Sequence, residues 1–132
     1  MPHIVLHLSG PVDHGLAGRC VDKVTSLTCR VLEKQPEVIS IQVLFTPCEQ
    51  WSIGGKTLAE SGRSAFHLEI SVTDETNTKA QKSRFIRELF DAIKNLRPDL
   101  HDICYTHVID ARAAAYGYGG RTQEYRHQRA GV

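Results

Sequence analysis

The chain has 132 residues, 41% hydrophobic and 23% charged, a globular composition about one domain long that argues against disorder. Sixteen Lys and Arg against fifteen Asp and Glu leave a formal charge of +1, without the positive excess that nucleic acid or a membrane surface selects. No run approaches the roughly 18 apolar residues of a spanning helix, the N-terminus lacks a leader pattern, and Cys20, Cys29, Cys48 and Cys104 lack metal-finger spacing. The expectation is a cytoplasmic domain with reduced thiols.

Pro2 to Leu8 alternates, with Ile4, Leu6 and Leu8 on one face and His3, Val5 and His7 on the other, as in a half-buried strand. From about Asp13 to Lys34 the period changes to helical steps through Leu16, Cys20, Val24, Leu27 and Val31. Pro36 marks the end of that helix, because the residue before a proline avoids the helical region. Val38 to Thr46 is a nearly continuous apolar run, suited to a strand covered on both faces. Gly54-Gly55 then predicts a turn or hairpin.

The same order recurs. Phe66 to Val72 alternates as a strand, and Thr76 to Leu96 carries Ile86, Leu89, Ile93 and Leu96 at helical steps, with Thr76 or Asn77 as N-cap. Pro98 ends that helix, Ile103 to Asp110 reads as a strand, and Gly119-Gly120 supplies a second turn. Landmarks repeat at offsets of 64 (His3 to His67), 62 (Pro36 to Pro98) and 65 (Gly54 to Gly119). The single domain therefore reads as two pseudo-repeats, 2–63 and 64–125, followed by a loose polar tail, 126–132. The expected fold is α+β: two tandem β-α-β units forming a four-stranded mixed sheet, two helices on one face and short Gly-Gly hairpins. The other sheet face is left bare, which predicts an oligomer.

Pro2 is the residue with chemistry to offer. Once Met1 is removed it carries a secondary amine at the head of an apolar strand. A free α-amino group titrates near pH 8, and an apolar site lowers that value, which suits a general base acting beside a carbonyl. Seven histidines raise a metal reading, but His3 and His7 are four residues apart on one strand, roughly 13 Å, too far for one zinc. No metal is assigned. Cys104 reads as core, the charged second helix as a solvated face, and the Gly-Gly pairs as turns without a phosphate-loop context.

With the amino-terminal proline and the doubled plan, the sequence resembles the tautomerase superfamily over about residues 2 to 125. The stretch WSIGGKTLAE looks like the hairpin of 4-oxalocrotonate tautomerase, with Trp51 at its pocket aromatic, and AYGYGG looks like a second copy. DICYTHVIDARAAAYGY resembles the matching stretch of macrophage migration inhibitory factor. There Tyr105 matches a pocket tyrosine, His107 stands where that family has asparagine, and Tyr116 and Tyr118 match pocket-wall residues. Lys34 matches its pocket lysine.

The resemblance implies a keto-enol tautomerase needing no cofactor, with Pro2 moving a proton on a small unsaturated keto or enol carboxylate. It implies a homotrimer with pockets between subunits. Lys34 is the matched cation for the carboxylate, Arg112 and Arg121 are unmatched candidates, and Tyr105 and His107 would hold the enolate oxygen. Trp51, Tyr116 and Tyr118 would exclude water.

The departures are specific. Ser9-Gly10-Pro11 and Gln42 stand where 4-oxalocrotonate tautomerase carries arginines, and Thr73-Asp74-Glu75-Thr76 stands where malonate semialdehyde decarboxylase carries its own. The histidine and glutamate that cis-3-chloroacrylic acid dehalogenase requires near Cys29 and Ala115 are missing, so dehalogenation and that decarboxylation are disfavoured. Glu69 reads as a solvated or interface carboxylate in preference to a second acid/base group. A non-catalytic trimeric binding protein of the same fold is the alternative.

Overall fold

The structure, a computed structural model, describes residues 2–129. In chain order the elements are β1 (His3–Ser9), α1 (His14–Leu32), a 3-10 turn at Pro36–Val38, and β2 (Ser40–Thr46). A second 3-10 turn at Cys48–Gln50 leads into the hairpin β3 (Ser52–Ile53) and β4 (Lys56–Thr57) and the short helix α2 (Leu58–Ser61). The second half follows with β5 (Phe66–Thr73), α3 (Lys79–Leu96), β6 (Thr106–Ala111), the hairpin β7 (Gly117–Tyr118) and β8 (Arg121–Thr122), and α4 (Gln123–Arg129).

The main sheet runs β2-β1-β5-β6. Each outer pair is parallel and the central pair β1–β5 antiparallel, with His3 opposite Ser71 and His7 opposite His67. Alternation along the central strands decides the two faces. Ile4, Leu6 and Leu8 with Leu68, Ile70 and Val72 are buried against Leu16, Cys20, Val24, Leu27 and Val31 of α1 and Phe85, Leu89 and Ile93 of α3. Each fully buried aliphatic side chain there contributes about 1.5–3 kcal/mol, so this layer carries the fold. Both long helices thus lie on one face, and the opposite face is open within the chain.

Several boundaries differ from the sequence expectations, for local reasons. Helix α1 stops at Leu32 because Glu33 turns left-handed (φ 59°), ahead of Pro36, which begins a 3-10 turn instead. The cap of α3 is Thr78, two residues beyond Thr76, and it forms a capping box with Gln81. Asn77 serves the other helix, donating to the Leu32 carbonyl at 2.9 Å. Ile86 is 40% exposed, because the buried row of α3 is Phe85, Leu89 and Ile93. Strand β6 begins at Thr106, since the Cys104 thiol and the His101 ring hold residues 101–104 in a turn. Strand β2 is an edge strand covered on one face only, which leaves Leu44 46% exposed. Of the expected loose tail, 126–132, residues 126–129 belong to the helix α4 (Gln123–Arg129), and residues 130–132 lie outside the described residues.

The two hairpins are built alike. Leu58 N donates to Trp51 O at 2.8 Å, and 65 positions later Gln123 N donates to Tyr116 O at 2.9 Å. Trp51 and Tyr116 therefore occupy corresponding places at the mouths of the hairpins. Among the described residues no helix is long and apolar enough to cross a membrane.

Candidate active site

Pro2 is buried at the head of β1, where its carbonyl accepts from Ser40 N at 3.3 Å. It lines a cavity of about 400 Å³ together with His3, Glu37, Val38, Ile39, Ser40 and the second hairpin's Tyr116, Gly117 and Tyr118. The cavity exists because β2 runs parallel beside β1 and the β7–β8 hairpin folds back over that end of the sheet. The Tyr116 hydroxyl meets Thr73 Oγ1 at 2.5 Å, which ties the hairpin to the end of β5. Burial pushes the Tyr116 phenol up, opposed by that hydrogen bond, so it stays protonated at neutral pH.

Val38 and Tyr118 also line a larger open groove of about 1080 Å³, so the two spaces share a border. Lys34 stands in this groove, its Nζ donating to Thr76 Oγ1 at 3.0 Å. Burial lowers the Lys34 value, with Glu33 opposing. From α4, Arg126 enters the same groove with its guanidinium 3.8 Å from the centre of the Tyr118 ring.

A third cavity, of about 380 Å³, lies at the start of β5 and is lined by Trp51, Phe66, His67, Ile103, Tyr105 and His107, among others. Pro2 is beside the far end of β5, where His3 faces Ser71, whereas Leu68 at the near end pairs with Thr106. Within one chain, Trp51, Tyr105 and His107 therefore do not converge on Pro2. Tyr116 and Tyr118 do, and Lys34 lies across the shared border. Arg112 is exposed and lies outside all three spaces, and Arg121 instead packs over Tyr125 at 5.1 Å.

The open sheet face carries a row of rings. His7 stacks on His67 at 5.7 Å, His67 meets His107 edge-on at 5.4 Å, and His107 stacks with Tyr105 at 6.2 Å. Glu69 sits among them, with His67 Nε2 3.4 Å from its Oε1. Burial lowers the His67 value; Glu69 opposes this, and the neighbouring His107 and His7 add to it. Among the described residues no cluster of three or more His, Cys, Asp or Glu could hold a metal.

Arg126 and Glu37 were not singled out in the sequence. The signal for Arg126 was available in principle, eight residues after Tyr118 and at the start of the apparent tail. It becomes a site residue only because 123–129 coils into a helix and returns over the hairpin.

No protein-family model matches the chain, and no curated protein matches it. Solved structures do. Pt0534, described as inactivated by 2-oxo-3-pentynoate, superposes with a TM-score of 0.81 at 10% identity over 94% of this chain and 98% of that one. The R7 fused 4-OT wild-type asymmetric trimer gives 0.77 at 17% identity, over 95% and 98%. A macrophage migration inhibitory factor-like protein from Entamoeba histolytica gives 0.75 at 14% identity, over 92% and 97%. These are structures of the tautomerase superfamily. The chain has that fold, as its α+β layout, mixed sheet and paired hairpins already indicate.

Proposed function

We propose that this protein is a proline-based keto-enol tautomerase acting on a small unsaturated α-keto or enol carboxylate, built from two duplicated halves and assembled as a homotrimer. The observation that carries the reading is the position of Pro2, buried at the head of β1 in a cavity walled by Tyr116 and Tyr118, within a tautomerase-superfamily fold.

With Met1 removed, the Pro2 amine takes a proton from the carbon beside the carbonyl and returns one at the other end of the conjugated system. The apolar walls Val38, Ile39 and Tyr116 exclude water and keep the amine unprotonated near neutrality. Lys34, across the border from the cavity, takes the carboxylate. The enolate oxygen is stabilised by Tyr105 and His107 of a neighbouring copy, because one chain holds these residues at the other end of its sheet. The open face supplies the surface for assembly, with Leu44 46% and Ile109 42% exposed on its two edge strands. The fused 4-OT structures are themselves trimers.

The test has two steps. Intact mass of the cellular protein establishes whether Met1 is removed, since a retained Met1 makes the Pro2 nitrogen an amide and ends the proposal. A phenylenolpyruvate ketonisation assay then compares wild type with Pro2→Ala. Loss of rate above background supports the base role. Equal rates favour the non-catalytic trimeric binding protein.

A further inference from the structure

We infer that the row of rings on the open sheet face makes the trimer pH-sensitive: His7, His67 and His107 of each copy are covered when the copies assemble, and charging them in acid separates the copies and takes the Pro2 site apart. This rests on the homotrimer of the proposed reading.

The row arises from the sheet register. His7 on β1 faces His67 on β5, and Glu69, two residues along β5, faces His107 on β6. Side chains alternate along a strand, so Ile4, Leu6, Leu8, Leu68 and Ile70 turn towards the helices and the three histidines turn away from them. The rings then stand in mutual contact, with centres 5.7 Å apart for His7 and His67 and 5.4 Å for His67 and His107. Leu44 on β2, Ile109 on β6 and Tyr105 just before it border the row, and all three are exposed. A sheet with helices on one side only needs a second covering layer. Tyr105 and His107, on this same face, lie away from the Pro2 of their own chain. They serve a Pro2 site only if that layer is another copy of this chain.

Counter-charge is scarce along the row. The groups that face His67 are His7 from β1, His107 from β6 and Glu69 from its own strand, and the helices, packed on the opposite face, add none among the described residues. Glu69 Oε1 lies 3.4 Å from His67 Nε2, yet that nitrogen is buried and makes no hydrogen bond among the described residues. One carboxylate per copy thus faces three imidazoles. Burial already lowers the His67 value within one chain, with Glu69 opposing and His107 and His7 adding to it. A covering copy removes more water, and imidazoles that charge together at this spacing repel one another.

Proton binding and assembly therefore oppose each other. The trimer is fully favoured while the imidazoles are neutral, above about pH 6.5, and weakens as pH falls below that value. Three copies titrate together, so a tenfold cost per copy becomes about a thousandfold in the trimer dissociation constant and about thirtyfold in the concentration at which half the chains are assembled.

The experiment is sedimentation equilibrium over a range of protein concentrations at pH 7.5 and pH 5.5, at one ionic strength, with circular dichroism following the fold. Wild type is compared with His67→Gln, His7→Gln and Glu69→Gln. The wild-type half-assembly concentration is expected to rise about thirtyfold at pH 5.5. His67→Gln should reduce that rise to about fivefold or less, and Glu69→Gln, which removes the carboxylate of the row, should enlarge it. His7→Gln should act in the direction of His67→Gln, and it decides the matter if His67→Gln does not assemble at pH 7.5. A wild-type trimer with one half-assembly concentration at both pH values, or a rise that neither histidine variant reduces, overturns the inference and leaves the trimer reading in place. Loss of the fold ahead of loss of the trimer overturns it as well. A wild-type monomer at pH 7.5 overturns both.

Discussion

Gly119 and Gly120 form a matched pair that isolates what Arg126 contributes to the structure. Both have positive φ, 61° and 77°, so alanine at either position carries the left-handed penalty of about 1–2 kcal/mol. Only at 119 does the new methyl meet another group, Arg126 Nη2 at 2.9 Å. Because that atom is the end of a flexible side chain, Gly119→Ala should displace the arginine. The protein then also loses the hydrogen bond to Tyr118 O and the stack on its ring, together about 1–2 kcal/mol at a partly exposed site. Urea unfolding of the two variants at one fixed protein concentration should therefore place Gly119→Ala about 1–2 kcal/mol below Gly120→Ala. Adding Arg126→Gln should cost the Gly120→Ala protein that same amount and the Gly119→Ala protein almost nothing. Equal stabilities for the two alanine variants, or full additivity with Arg126→Gln, would refute the clamp.

Other expectations follow from the same geometry. If Tyr105 and His107 serve a neighbouring copy, 1:1 mixed trimers of Pro2→Ala and Tyr105→Ala chains should regain about a quarter of wild-type activity, since a quarter of the sites combine both native residues; no regain would place both groups in one chain. His67 is held below its ordinary value of 6.5, so the unfolded chain binds more protons there as the solution turns acid. Its stabilisation is complete above about pH 6.5 and is lost as pH falls from there through the lower folded value. Urea midpoints from pH 7.5 to 5 should fall more steeply for wild type than for His67→Gln, with the facing His7, His107 and Glu69 left in place. Thr78→Ala removes the capping box of α3 and should cost about 1 kcal/mol with the denaturant slope unchanged.

Periodicity made the core legible. Ile4, Leu6, Leu8, Leu68, Ile70 and Val72, and the stripe from Leu16 to Val31, are placed by alternation and by helical steps alone, and they are the buried face. The ends were harder, because caps are decided by single side chains. Thr78 and Gln81 carry the capping-box spacing, yet Thr76 and Asn77 are equally good capping types, and they instead bind Lys34 and the end of α1. Chain pairing is invisible in a one-dimensional pattern. The resemblance groups Trp51, Tyr105 and His107 with Pro2 in a pocket between subunits, and within one chain these three line a separate cavity at the opposite end of the sheet. Arg126 was hidden for the reverse reason: a polar tail has no apolar period, and only the folded chain brings α4 back to the hairpin, with Arg126 over the Tyr118 ring.

The central claim is that the Pro2 nitrogen is an unprotonated, nucleophilic amine inside its cavity. An acetylenic α-keto acid such as 2-oxo-3-pentynoate tests it, because its conjugated triple bond is attacked by a neutral amine and not by an amide or an ammonium ion. After incubation at neutral pH, intact mass and peptide mapping should show one adduct per chain, on the peptide beginning with Pro2, formed in step with loss of ketonisation activity. Unmodified Pro2 in protein lacking Met1, or an adduct elsewhere that leaves Pro2 free, would contradict the account.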